Sequence, residues 1–541
     1  MKVCLLYKDR EQLREEPYYD AASIIGDLGL TALFSAAAKE VIYENGEIKK
    51  LEKEDPFISE TMKKVVSVPL CTKEEIEYRQ GVVKDALSHP ELMRDLYRIT
   101  NETLQKWNAL GRGTKGRIRQ SNPVMKLVAE IRVLHLFCDS LSEIRRLLFA
   151  QEGLVSEGIG LFREGLLTAF SEEREEKIRK ILDDVSFYTK GLDREDEGKD
   201  RVIRPRIVLE CGLEDGLKLS SMKVQEVASR DDKFYRKGST RDKLRKFLDA
   251  RMPDSFSATE EDRIREQTLS LEYSVVNHVI KKTKEFMDEF QMFFDRLRFQ
   301  AAFYLGTAQL IPHMERFGMG YCFPEVCDNR DLSFENLKEF VMGIEQRVRV
   351  IGNTCSLEKK DLLIVTGANQ GGKSTFLRSI GIAQVMMQSG LPVTADSFKS
   401  GIFPRIFVHF TRREDSAMNS GRLDEELRRM NGIVEHIGEG SLVLLNESFA
   451  TTSEKEGAAI AYDIVRALKE AGVRILMVTH LLSFAKRIYE EIGTKEEEGT
   501  EFLSAERKPD GTRTYHMIRT EPELTSFGLD LYDSVVGSVQ E

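Results

Sequence analysis

LLIVTGANQGGKS (362–374) decides the fold. Leu362–Val365 has the length and composition of a strand buried on both faces. Gly367, Ala368, Asn369, Gln370, Gly371, Gly372, Lys373 and Ser374 follow as a complete GxxxxGK[ST] match. A helical stretch, Thr375–Gln388, comes immediately after. Strand, glycine-rich loop and helix in that order make a phosphate cradle. The glycines let backbone N–H groups turn inward, and the helix N-terminus adds the positive end of its dipole. Lys373 can reach the β- and γ-phosphates of ATP, and the Ser374 hydroxyl can hold Mg²⁺. The expected nucleotide-binding set is therefore Gly367 to Ser374 together with Thr375.

Downstream, the same strand-then-helix pattern repeats. Leu442–Leu445 is an apolar run that ends in Asn446 and Glu447. At such a strand end an acid normally holds the metal shell, and the next carboxylate orients or deprotonates water. Asn446 is the expected metal-side residue, acting through its carbonyl oxygen and without a negative charge, so metal binding is expected to be weaker and hydrolysis slower. Glu447 is the expected catalytic carboxylate. A third apolar run, Ile475–Val478, leads through Thr479 to His480, placed to contact the γ-phosphate or the attacking water. Short buried runs alternating with helices define a P-loop α/β domain over 346–541.

Upstream, the periodicity is helical from 75 to 345. No Gly or Pro falls between Pro123 and Gly153, where Val128, Ile131, Leu134, Phe137, Cys138 and Leu141 recur at helical spacing. Another 52 residues without Gly or Pro lie between Pro253 and Gly306, enough for a helix of roughly 70–80 Å, which suits a lever. About 190–250 has a different character. Ile207–Cys211 reads as a strand, Gly212–Gly216 as a turn, and Arg230–Lys246 is dense in charge. The fold class is thus α + α/β: a long-helix core or lever with an inserted clamp-like module, then the ATPase domain. Residues 1–74 hold a small-residue helix near Leu30–Lys39 and a charged connector at Lys49–Asp55, with no role legible.

Composition bounds the setting. The chain has 541 residues, a net charge of -10 and a mean hydropathy of -0.34. No stretch of about 18 apolar residues exists and the N-terminus lacks a signal-peptide core, so a cytoplasmic protein without membrane contact is expected. The seven cysteines are scattered without a CxxC pair, which fits a reducing compartment and argues against a zinc site.

The residues GANQGGKST (367–375), SGRLDEEL (420–427), SLVLLNESFATTSEKEG (441–457), VTH (478–480) and YHMIRTEPELTSFGL (515–529) together resemble the MutS family of mismatch-repair ATPases. VPLCTKEEIEYRQGVV (68–83) is similar to the opening of that family's helical core, and the helix ending near Gly306 to its lever. The resemblance implies a homodimer with composite, ABC-type ATP sites, in which the signature segment of one subunit closes on nucleotide held by the other. Ser420 matches the signature serine, which also reads as a helix N-cap. His516 matches a position that packs on adenine, eleven residues before Phe527. Asn446 departs from the family's Asp, and SFATTSEKEG from a glycine-rich segment. The roughly 70 residues before the core-like segment are too few for the family's mismatch-reading and connector domains, so a short homologue without the mismatch sensor is expected. Two Phe-x-Glu triplets, at Phe162 and Phe170, fall in helical sequence and are read as accidental.

Two basic segments are candidate phosphate contacts. Gly111–Arg119 reads as a flexible loop. Arg230–Lys246 lies in the inserted module, with Arg236, Lys237, Arg241, Lys243, Arg245 and Lys246 as expected nucleic-acid contacts. Binding there would be to double-stranded DNA by structure rather than by sequence, and steeply salt-dependent. Each segment also reads as a solvated charged face, as such runs usually are, and Arg230–Lys246 is the stronger candidate of the two. The expected function is an ATP-dependent DNA clamp in mismatch repair or recombination-related processing. An ATP-switched assembly or release factor acting on a protein or ribonucleoprotein is the alternative, favoured by the acidic charge. A protein that binds ATP without turning it over is a third reading, kept open by Asn446.

Overall fold

The computed structural model describes residues 2–14, 16–44, 47–51, 53–117, 123–187, 207–214, 218–227, 258–327, 329–411, 421–492, 499–508 and 512–522. They fall into two compact units, one of Arg98–Glu152 and Arg163–Arg298, the other of Val3–Tyr97, Gly153–Phe162 and Phe299–Glu541.

Among its described residues the first unit is helical apart from one antiparallel hairpin, Ile207–Glu214 with Lys218–Val227. The expected turn at Gly212 does not close there: Gly212 pairs with Ser221 and the strand continues to Glu214. Pro123–Ala150 is a helix whose proline stands at the first helical position, where its missing N–H is lost at no cost. Ile131, Phe137, Cys138 and Leu141 are buried as their spacing predicts, while Leu134 is half-buried. Phe137 stacks on Phe290 and Phe294 (centroids 5.4 and 5.3 Å) and meets Trp107 edge-on. The buried Glu175 carboxylate accepts hydrogen bonds from Ser142, Arg145 and Arg179. Gly111–Arg117 is the end of a helix that starts at Pro90, not a loop, despite three glycines of low helix propensity. Arg230–Lys246 lies outside the described residues.

The long helix is Ala258–Arg316, 59 residues or roughly 90 Å. It does not end at Gly306. A β-carbon at Gly306 would come within 2.9 Å of Ile58 and 3.1 Å of Met62, so the glycine allows close helix packing rather than termination.

The second unit is built on a six-stranded sheet in the order Ile406–Phe410, Leu442–Asn446, Arg474–Val478, Leu362–Thr366, Thr500–Arg507, Arg513–Arg519. The first five strands run parallel and the last closes the edge as an antiparallel hairpin. The four strands from Ile406–Phe410 to Leu362–Thr366 are buried along nearly their whole length, so their side chains are mostly apolar on both faces rather than alternating. A smaller four-stranded sheet, Glu325–Val326, Ser397–Ser400, Leu332–Leu337 and Asn353–Ser356, flanks it.

The N-terminal segment is part of this unit. Gln300 accepts from the Leu5 amide at 2.7 Å and donates to the Val3 carbonyl at 2.8 Å. The buried Arg79 lies over the Tyr7 ring and donates to the Leu6 and Ser389 carbonyls. Leu28 packs so tightly on Gly381 that a β-carbon there would meet it at 2.8 Å and Leu444 at 2.6 Å. The expected connector Lys49–Asp55 is partly strand, since Glu47–Leu51 pairs with Val41–Glu44.

Candidate functional site

The phosphate loop leaves the strand Leu362–Thr366 at the C-terminal edge of the sheet. Gly367 has φ 104° and Gly372 has φ 90°, conformations that glycine adopts without strain. A β-carbon on Gly367 would sit 2.6 Å from Ser504 Oγ and 2.8 Å from the Ala505 amide, so the loop rests directly on the neighbouring strand. The helix Lys373–Met387 then opens with no side-chain cap, leaving its first N–H groups and dipole to the loop.

Lys373 is 4% exposed, and its ammonium donates to the Gly367 and Ala368 carbonyls at 2.8 and 2.9 Å. Burial lowers its pKa, and the Glu447 charge opposes that shift. A cavity of about 500 Å³ surrounds this corner. Asn369 to Phe376 and Glu447 line one side, and Glu339, Gln346, Arg349, Ile351, Asn353 and Tyr515 are on its other walls. The size and the mixture of a cationic loop with apolar surface from Met342, Val348, Val350 and Ile351 suit a nucleotide.

The strand Leu442–Asn446 ends level with its neighbours, Asn446 pairing with Val478 and Val478 with Val365. Asn446 therefore stands two strand spacings, roughly 10 Å, from the phosphate-loop strand. Its Oδ1 is buried and has no hydrogen-bond partner among the described residues. Such an orphaned acceptor costs about 1–3 kcal/mol, and it fits a donor that arrives with the ligand, such as metal-bound water. Glu447 follows with φ 54°. Thr479 donates from its amide to Val365, which places His480 beside the phosphate-loop strand, half-buried and outside the cavity lining.

Ser420 lies outside the described residues; the helix after it is Arg422–His436, with Gly421 at the N-cap position. His516 is exposed on the edge strand and does not line the cavity, whereas its neighbour Tyr515, at φ 64°, does. Asn353 holds that edge, donating to the Tyr515 carbonyl (3.2 Å) and accepting from the Met517 amide (2.8 Å). Sequence reasoning missed Glu339, Gln346, Arg349, Ile351, Asn353 and Tyr515. They carry no motif, and only the adjacency of Tyr515 to His516 gave a signal. Arg236, Lys237, Arg241, Lys243, Arg245, Lys246 and Phe527 are outside the described residues. Phe162 and Phe170 are both buried, as core residues are. Among the described residues no helix is long and apolar enough to cross a membrane.

Comparison with known proteins adds two family matches. Residues 363–536 match MutS domain V, and residues 72–317 match the MutS2 N-terminal domain. A DNA mismatch repair protein MutS from Microcystis aeruginosa is 28% identical over 222 residues, 39% of this chain and 24% of that protein. The MutS of a Synechococcus strain is 36% identical over 166 residues, 30% of this chain and 18% of its own. An Endonuclease MutS2 from Streptococcus thermophilus is 27% identical over 196 residues, 34% and 24% of the two chains. The chain thus spans a quarter or less of the length of these relatives.

Proposed function

This chain belongs to the MutS family through both its helical and its α/β part, and from that premise we propose that it is an ATPase whose nucleotide cycle drives a dimeric clamp on DNA. The observation that carries the reading is one cavity holding both the buried Lys373 and Glu447, with the orphaned Asn446 oxygen beside it. In this reading Lys373, the loop amides and the open end of the helix Lys373–Met387 hold the phosphates. Tyr515 and Ile351 offer apolar surface to the base, with His516 at the rim. Ser374 and Asn446 would hold Mg²⁺, which supplies charge neutralisation on the phosphate oxygens. Glu447 orients the attacking water and takes its proton. His480 senses the γ-phosphate.

The proposed division of labour follows the sequence: residues 75–345 as lever and clamp, 346–541 as the engine, and Ser420 of each subunit completing the other's site in a homodimer. The basic residues Arg236 to Lys246 would contact the DNA backbone. The relatives' names, mismatch repair protein and endonuclease, support a DNA partner. The net charge of -10 supports a second reading, an ATP-switched factor on a protein or ribonucleoprotein.

Steady-state ATP hydrolysis at low and moderate salt, with and without duplex, mismatched and branched DNA, separates the two. The DNA clamp requires turnover that responds to DNA and loses that response as salt rises. Turnover indifferent to every DNA would remove the clamp and leave the second reading. Asn446→Asp supplies the missing charge at the metal side. It is expected to lower the Mg²⁺ concentration for half-maximal turnover about tenfold, equivalent to about 1.4 kcal/mol. An unchanged Mg²⁺ dependence would place Asn446 outside the metal shell.

A further inference from the structure

The turn that carries Glu447 is held in an uncommon backbone. Glu447 (φ 54°) and Phe449 (φ 65°) both occupy the left-handed region. That region costs a residue with a β-carbon roughly 1–2 kcal/mol and persists where the surroundings over-determine it. Here each residue of the turn has its own anchor. The Glu447 amide donates to the Val478 carbonyl at 2.9 Å, and the Glu447 carbonyl accepts from Thr411 Oγ1 at 2.7 Å. The Ser448 hydroxyl lies 2.7 Å from His409 Nδ1 and 3.0 Å from the His409 carbonyl. The Phe449 amide and Thr451 Oγ1 both donate to Glu426 Oε2, at 3.0 and 3.1 Å.

Two of these anchors end on one side chain, that of Glu426. Glu426 is 5% exposed. Its Oε1 lies 3.2 Å from Thr411 Oγ1, and its backbone carbonyl lies 3.2 Å from His409 Nε2. A single buried carboxylate therefore grips the turn at Phe449 and Thr451, two and four residues beyond Glu447, while the one Thr411 hydroxyl proton has its shorter contact on the Glu447 carbonyl. Glu426 stands in the second turn of the helix Arg422–His436, which is fastened to the N-terminal segment as well. Arg429 pairs with Asp27 at 3.0 Å and donates to the Phe410 carbonyl at 2.8 Å, and Tyr19 stacks on His436 at 3.7 Å.

We propose that Glu426 is the positioning residue for Glu447, converting the position of the helix Arg422–His436 into the position of the water-activating carboxylate. This rests on the ATPase reading above. Glu426 does not line the cavity around Lys373 and Glu447. Its removal therefore acts on turnover and spares binding.

The test measures kcat and ATP affinity separately for the full-length protein and four variants. Glu426→Ala should lower kcat at least about tenfold while ATP affinity stays within about threefold. Glu426→Gln should recover most of the loss: its carbonyl oxygen still accepts from Phe449, and its amide can donate to Thr411 Oγ1, which remains free to donate to Glu447. Thr411→Val, isosteric and without the hydroxyl, should also lower kcat several-fold with affinity kept. Glu447→Gln sets the floor. Wild-type turnover in Glu426→Ala and Thr411→Val beside an inactive Glu447→Gln would overturn the positioning role alone. So would parallel losses of affinity and turnover without rescue by Gln, the mark of a merely structural carboxylate. If Glu447→Gln itself turns over like the wild type, Glu447 is not the base and the positioning role falls with it, whereas a wild-type protein without turnover would overturn the ATPase reading itself.

Discussion

Lys373→Ala is expected to weaken ATP binding roughly 100-fold and to reduce hydrolysis by at least about 1000-fold. The argument is electrostatic. Lys373 is the buried cation of the phosphate loop, and the loop carbonyls it holds, Gly367 and Ala368, are acceptors that cannot stabilise an anion. Burial already disfavours its charge; a phosphate placed beside it would reverse that balance, so much of the binding energy comes from this one pair. Alanine leaves a void and two carbonyls without their donor, so Lys373→Met, which fills the volume, serves as the control for folding. Both variants should fail in a titration with a fluorescent ATP analogue and in phosphate release, and Lys373→Met should do so while melting close to the wild type in the absence of nucleotide. Either variant binding ATP within about threefold of wild type would remove Lys373 from the site.

The second large effect separates binding from chemistry. Glu447→Gln keeps the size of the side chain and removes the base, so kcat is expected to fall by about 10²–10⁴ while ATP remains bound. Affinity should be equal or slightly higher, because a negative charge that faces the phosphates has gone. If two half-sites close on ATP, the variant should accumulate as an ATP-dependent dimer, visible by size-exclusion chromatography with light scattering. Normal hydrolysis by Glu447→Gln would exclude the proposed base. A monomer with bound ATP would instead exclude the composite site.

Much of the engine was legible in the sequence because its signals are local. Strand Leu362–Thr366, the loop and the helix Lys373–Met387 are contiguous, and a fully buried parallel strand needs an unbroken apolar run. The run ending in Asn446 and Glu447 was equally plain, as was a long helix in a stretch of 52 residues without Gly or Pro. Boundaries were less secure where a tertiary contact overrode the local pattern. Gly306 reads as a stop, yet the helix continues to Arg316 because the glycine lets it pack closely on Ile58 and Met62. Lys49–Asp55 reads as a solvated connector, yet Glu47–Leu51 finds a pairing partner in Val41–Glu44.

What the sequence by itself determined is the chemistry at one corner: which loop can cradle phosphate, which lysine lies in it and which carboxylate follows the second strand. Only the tertiary structure decided what surrounds that corner. Buried parallel strands are nearly interchangeable in composition, so their order is unreadable from pattern, and it is the order that sets Thr411 against Glu447 and Glu426 against Phe449. The same holds for Asn353 on Tyr515 and for Leu28 on Gly381. These residues carry no periodicity or motif of their own. Each acquires its role from a partner 23 or more positions away, and that partner is fixed by sheet register and close packing rather than by chain neighbours.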